Sequence, residues 1–233
     1  MAAACPVRLL AGVEVPNTPL ISKAIDYARA HGADFAFNHV MRCFLFGSIV
    51  VDRISAISDC DREVQAISTI LHDLGWDPTG KLVSTDKRAT VDSANAARDF
   101  LRREAPDWEE RKLQLVWDAI ALHETNSIAM HKEPEVQACL YGIMADFRGP
   151  DKMAGNVVTW PEYWAVVKEY PRLNMMEDFK ELMCHFCRTK PQATYDNCAG
   201  QYGDKYVEGF SLQGKLDIDF LEAIELDRLH LPR

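Results

Sequence analysis

Residues 67–75 read Ile67-Ser68-Thr69-Ile70-Leu71-His72-Asp73-Leu74-Gly75, an apolar run that closes on a histidine and an aspartate. Val64, Ile67, Leu71 and Leu74 recur at helical spacing, so the run reads as one buried helix. It starts after the acidic residues Asp59 and Asp61, and Gly75 stands where a C-terminal cap would stand. Such a helix must bury its apolar face against others, and the flanking sequence supplies them.

Upstream, a helix is expected over Pro19–His31, with Ile21, Ala24, Ile25 and Ala28 on one face. A second starts at Asn38, taken as its N-cap, and continues through Phe44, Ile49, Val50 and Ile54. Downstream, Trp76–Ala89 is a polar loop containing Pro78 and Gly80. Further helices are expected over about Val91–Glu104, from Asp107 toward His123, and from Pro134 to about Asp146. Thr159-Trp160-Pro161 opens another, with threonine as cap and proline in the first turn. Two more cover about Asn174–Cys187 and Ile218–Leu229. Strand signals are weak and no internal repeat is found. The expectation is an all-α fold: one domain over residues 1–233, with its core in about 16–150 and the helices of 151–233 packed on it.

Composition narrows the function classes. Of 233 residues, 48% are hydrophobic, which supports a packed core. The formal net charge of −9 repels phosphate backbones and anionic membranes, so neither nucleic acid nor a membrane is expected as partner. The longest apolar runs, such as Cys43–Val51, are broken by Gly47 and Ser48. The N-terminal MAAACPVRLLAGVEVP has no basic segment followed by a long apolar stretch, so a secretory signal is not expected. Seven scattered cysteines do not form a disulfide framework, and the default setting is reducing and cytoplasmic. A small-molecule substrate and a homo-oligomer are compatible with these bulk properties.

His72-Asp73 is a weak signal alone, since adjacent helical residues differ by about 100° around the axis. It gains weight from company. His39 lies at the start of the preceding long helix, in Asn38-His39-Val40-Met41-Arg42. Antiparallel neighbours bring the start of one helix beside the end of the next, so His39 and His72-Asp73 share one end of the bundle. Asp146 ends a later helix in Leu140-Tyr-Gly-Ile-Met-Ala-Asp146-Phe147, and a carboxylate there needs a partner.

The order His39 … His72-Asp73 … Asp146 resembles that of the HD-domain superfamily of metal-dependent hydrolases, and most closely its fungal cyanamide hydratase-like branch. Other stretches carrying the resemblance are Leu71–Asp77, Asp86-Lys87-Arg88, Val91–Phe100 and Ala119–Glu124, over roughly residues 16–150. The resemblance implies the HD helical fold, with His39, His72, Asp73 and Asp146 as metal ligands and His123 lining the pocket. Three departures concern the substrate side. The branch often has Phe-Glu and a Gly where this chain has Ala89-Thr90 and Ser93, and Asn where Phe147 stands.

The chemistry follows from these residue types. Imidazoles and carboxylates suit Zn²⁺, the first choice, and also Fe²⁺, Mn²⁺, Ni²⁺ or Co²⁺. One divalent ion is favoured, because two-metal members need further histidines that the helix ending at Asp146 does not supply. Such an ion lowers the pKa of water. Proton transfer then falls to His123, with Glu124 second and Asp73 beside the reacting centre. Trp76, Lys87 and Arg88, with Lys81, are the substrate-side residues of the loop. The leading expectation is a hydratase adding water to a nitrile-like substrate such as cyanamide. The alternatives are an HD-type phosphohydrolase on nucleotides, a dehydratase or isomerase of secondary metabolism, and a non-enzymatic binding module.

Other patterns have bland readings. His123-Glu124 fails as a metalloprotease motif because Ser127 occupies the place of its second histidine. Gly75–Lys81 mimics a phosphate loop, but Leu82 replaces the required hydroxyl. Cys184-His-Phe-Cys187 is a lone pair of cysteines on an apolar helix, read as core. Trp160, Tyr163 and Trp164 form either a pocket wall or, more readily, a core or dimer face.

Overall fold

A computed structural model describes residues 6–153 and 157–223. Among them are eleven α-helices and one two-stranded sheet, so the protein is mostly helical. The chain divides into two compact units, residues 1–84 with 89–175, and residues 85–88 with 176–233. That division falls inside the single domain expected from the sequence.

The first unit opens with a hairpin, β1 (Val7–Leu10) and β2 (Val13–Pro16), paired antiparallel from Val7↔Pro16 to Leu10↔Val13. The sequence reading missed it. Its two-residue turn is Ala11-Gly12, with φ of +50° and +81°, the positive values that tight hairpin loops demand. Val13 and Val15 face the core, whereas Val7 and Leu9 are exposed.

The helices follow: α1 (Pro19–His31), α2 (Asp34–Arg53), α3 (Arg62–Leu71), α4 (Ala89–Glu104), α5 (Glu110–Leu122), α6 (Asn126–Ala129), α7 (Pro134–Arg148) and α8 (Trp160–Glu169). Local chemistry sets several boundaries. Thr18 caps α1 by accepting from the Ile21 N–H at 3.2 Å, and Asp61 caps α3 through the N–H groups of Glu63 and Val64. The Glu162 carboxylate accepts from the Thr159 N–H at 2.9 Å, closing the first turn of α8. Asn38 is not a cap. Helix α2 starts four residues earlier, and the Asn38 amide donates instead to the Pro171 carbonyl at 2.9 Å. Gly75 is not a left-handed C-cap either. It lies in a 3-10 turn (Leu74–Trp76) where an added Cβ would meet the Ala89 carbonyl oxygen at 2.2 Å, so glycine is required by close approach.

Helix α2 is the axis of this unit and packs chiefly against α7 and α3. By length and composition it could cross a membrane, with mean hydropathy 1.2, yet 78% of that stretch is buried within the protein. The α2–α7 crossing depends on two glycines. A Cβ on Gly142 would meet the Cys43 carbonyl at 2.4 Å and the Gly47 nitrogen at 2.9 Å. Helix α7 runs antiparallel to α2 from that contact, so Asp146, one turn beyond Gly142, arrives opposite His39, one turn before Cys43.

The second unit contains most of α9 (Met175–Thr189), then α10 (Cys198–Tyr206) and α11 (Asp217–Ala223). Helix α10 was not foreseen, and the last expected helix, 218–229, extends past the described residues. Cys184 and Cys187 are buried core thiols. Cys187 donates to the Ala199 carbonyl at 3.1 Å, and Gly203 is glycine because a Cβ would lie 2.5 Å from its sulfur. Among the described residues no disulfide forms. In the first unit, Tyr163 is core and stacks on Phe46 at 5.2 Å, while Trp160 and Trp164 remain exposed.

Candidate metal centre

Helices α3 and α5 end alike. His72 and His123 are their C-cap residues, in the related sequences Thr69-Ile-Leu-His72 and Ile120-Ala-Leu-His123. The last turn of a helix leaves carbonyls without partners. Each histidine satisfies one: His72 Nδ1 lies 2.7 Å from the Thr69 oxygen, and His123 Nδ1 lies 2.7 Å from the Ile120 oxygen. A carbonyl only accepts, so both Nδ1 atoms carry hydrogen, and in the neutral rings both Nε2 atoms present lone pairs. The two rings meet edge-on, with centroids 4.9 Å apart.

His39 reaches the same place from α2. Its Nδ1 donates to Asp146 Oδ2 at 2.7 Å, which turns Nε2 toward His72 Nε2 at 3.3 Å and Asp73 Oδ2 at 3.5 Å. His72 Nε2 and Asp73 Oδ2 are 3.2 Å apart. Bonds of about 2.0–2.2 Å to a common ion place neighbouring ligand atoms about 3.0–3.5 Å apart. The donor atoms of His72, Asp73 and His123 lie within 4.8 Å of one another, as do those of His39, Cys43 and His72. All of these residues are buried.

Asp73 provides the fit test for a metal. Neither of its oxygens receives a hydrogen bond among the described residues, although both are buried. A buried carboxylate without donors is costly unless a cation faces it. The donor set, imidazole nitrogens with one carboxylate, suits a divalent transition ion.

The electrostatics agree. Burial lowers the proton affinity of His39, despite Asp146 and Asp73 nearby. Burial, reinforced by His72, holds His123 down at about 3. For His72, burial also opposes charge, but Asp73 outweighs it and the pKa rises. Burial alone would raise the Asp73 pKa, and His72 overrides it downward. The ionised form of Asp73 is thus favoured at this spot, which suits a cationic partner.

Asp146 is placed differently from Asp73. Its Oδ1 accepts from Arg42 Nε at 2.6 Å and Arg172 Nη1 at 2.9 Å, and its Oδ2 from Arg42 Nη2 at 2.8 Å as well as from His39. Arg172 also donates to the Asp146 carbonyl at 2.8 Å and to the Tyr163 hydroxyl at 3.0 Å. Burial would raise the Asp146 pKa, but His39 and Arg42 hold it far below the usual carboxylate range.

The remaining predicted residues are distributed as follows. Trp76 is buried and stacks on His39 at 5.9 Å, and Phe147 meets the same ring edge-on at 4.8 Å. Glu124 follows His123 and is half-buried. Lys87 and Arg88 fall in the second unit, where they pair with Asp86 at 3.0 Å and Asp196 at 3.5 Å. Lys81 is exposed. Its loop is folded on Asp77, which accepts from the N–H groups of Thr79 at 2.8 Å and Leu82 at 3.2 Å, so these amides are not arranged to hold phosphate.

Sequence reasoning overlooked three residues here. Cys43, its sulfur 3.4 Å from His39 Nδ1, stands four positions after His39 on the same helical face. Burial, with Asp146 and Asp73 nearby, pushes its thiol well above the ordinary range. Arg42, three positions after His39, was quoted only as part of a motif, although a buried arginine in an apolar helix implies a buried carboxylate. Arg172 carries no local signal. No protein-family model matches the chain, and no curated protein is similar enough to match it.

Proposed function

We propose that this chain is a metal-dependent, water-activating enzyme of the HD type, acting as a hydratase on a small nitrile-like substrate such as cyanamide. The observation that carries it is the Asp73 carboxylate, buried without a hydrogen-bond donor and facing His72 and His39 nitrogens at 3.2 and 3.5 Å. A divalent ion, Zn²⁺ for preference, supplies Lewis acidity that brings the pKa of water toward neutrality. His39, His72 and Asp73 hold it, and Trp76 and Phe147 cover the His39 ring. Hydration adds the water oxygen to the nitrile carbon and a proton to its nitrogen, with no leaving group. After proton rearrangement, cyanamide becomes urea. His123 is badly placed to move that proton, since Nδ1 is spent on Ile120 and the other nitrogen faces the cluster. We assign that proton transfer instead to Glu124, the next residue in the chain and half-buried.

The alternative phosphohydrolase would need cations for its substrate. Arg42 and Arg172, the arginines brought to this cluster, are both committed to Asp146. A small neutral substrate suits that balance better. The test is urea formation from cyanamide by the zinc-loaded protein. Turnover lost in His72→Ala is expected; no turnover above that variant refutes the hydratase reading.

A further inference from the structure

We infer that the ligand set is His39, His72, Asp73 and His123, and that Asp146 lies outside it as a positioning residue that fixes the His39 imidazole. This rests on the metal-dependent reading above and departs from the ligand order implied by the sequence resemblance.

Three observations carry it. First, Asp146 has no capacity left. A carboxylate offers about four lone-pair sites. Arg42 takes one on each oxygen at 2.6 and 2.8 Å, Arg172 takes one at 2.9 Å and His39 one at 2.7 Å. Ligating an ion would break charge-assisted bonds to a fully buried guanidinium that cannot shed its charge. Second, Asp146 sits on the Nδ1 edge of His39, whereas His72 and Asp73 gather on the Nε2 edge. The two ring nitrogens point away from each other, so an ion on Nε2 is out of reach of an oxygen bonded at Nδ1. Third, the three histidines share one construction. Each Nδ1–H is fixed by an acceptor: the Thr69 carbonyl for His72, the Ile120 carbonyl for His123 and the Asp146 carboxylate for His39. His72 and His123 cap helix ends, where a carbonyl three residues back is available. His39 lies inside α2, where no backbone carbonyl is spare, and a carboxylate from α7 must do the same work. His123 joins the set through His72 and Asp73, its donor atom within 4.8 Å of theirs, and His39 joins through its own contacts with the same two residues.

The test is zinc K-edge absorption spectroscopy on the full chain, which counts imidazole ligands directly, with equilibrium dialysis for stoichiometry and affinity. Wild type is expected to bind one ion with three imidazoles and no sulfur. His123→Ala should show two imidazoles and at least a tenfold weaker affinity. Asp146→Asn should keep three imidazoles and one ion per chain, with affinity reduced about 10–100-fold. Two imidazoles in wild type, unchanged in His123→Ala, would overturn the assignment. So would a sulfur neighbour, which would put Cys43 in the set, or a folded Asp146→Asn as empty as His72→Ala. If circular dichroism shows Asp146→Asn unfolded, the wild-type and His123→Ala spectra still decide. A wild type that binds no divalent ion removes the metal-dependent function as well, a result distinct from binding through two imidazoles.

Discussion

The two edges of the His39 ring border regions built on opposite terms. Behind Nδ1, Asp146 is met by Arg42, Arg172 and His39, with every oxygen supplied with donors. In front of Nε2, Asp73 is equally buried, yet neither oxygen accepts a hydrogen bond. The difference lies in the partner. Asp146 faces the Arg42 and Arg172 guanidinium groups, so its region carries its own neutralising charge. The polar atoms facing Asp73 are histidine nitrogens, which can ligate a metal ion where a guanidinium cannot. A buried carboxylate in the first setting is structural, and in the second it is a binding site.

Replacing each aspartate by alanine should separate the two most strongly. Asp146→Ala leaves Arg42 fully buried and unpaired. Removing one partner of such a pair costs about 3–5 kcal/mol, read as a fall in the denaturation midpoint with unchanged slope. Asp73→Ala removes a carboxylate that no arginine faces, so the metal-free protein should lose only about 1 kcal/mol. Equal losses in both variants would abolish the distinction.

Metal should narrow that gap. Zinc at 100 times its dissociation constant should stabilise wild type by about 2.7 kcal/mol, seen as a rise in melting temperature that a chelator reverses. Asp73→Ala should show no rise at the same concentration. A zinc response retained in Asp73→Ala would place the ion elsewhere.

The regions also depend on how α2 and α7 cross. Gly142→Ala puts a methyl group 2.4 Å from the Cys43 carbonyl, and backbone there cannot yield without moving a helix. We expect a loss of about 1–3 kcal/mol. Because Asp146 is one turn further along α7, zinc affinity should weaken too. Full stability in this variant would show that the crossing is not fixed at that glycine.

This dependence explains what was legible beforehand. The helical fold came from apolar periodicity in α1, α3 and α7, and the gathering of His39, His72 and Asp73 from the antiparallel order of helices. The side of His39 that each aspartate takes was not legible, for it depends on rotamers and on Arg172, 26 residues beyond Asp146. The glycine contacts were hidden for the same reason: they answer to another helix. The Ala11-Gly12 hairpin was missed differently, since a short strand pair gives only a few alternating positions.

The smallest effect sets the scale for the buried pairs. Arg53 and Glu162 join at the surface, with side chains 41% and 30% exposed. The hydrogen bond from Arg53, aided by Thr159, holds the Glu162 pKa down at about 2, against an ordinary value of 4.5. A carboxylate with a depressed folded pKa stabilises the fold above its unfolded value and loses that contribution as pH falls toward about 2. Solvent screens this pair, so we expect only about 0.2–1 kcal/mol. Glu162→Gln should lower stability by that amount at neutral pH and flatten its fall between pH 4.5 and about 2. Salt at 1 M should erase much of the neutral-pH difference, because screening then acts within about 3 Å. The loss in Asp146→Ala should survive the same salt, since the Arg42 side chain is 0% exposed and ions cannot reach it. If salt rescued both variants alike, the Asp146 region would be open to solvent, and the contrast between the two edges of His39 would fail.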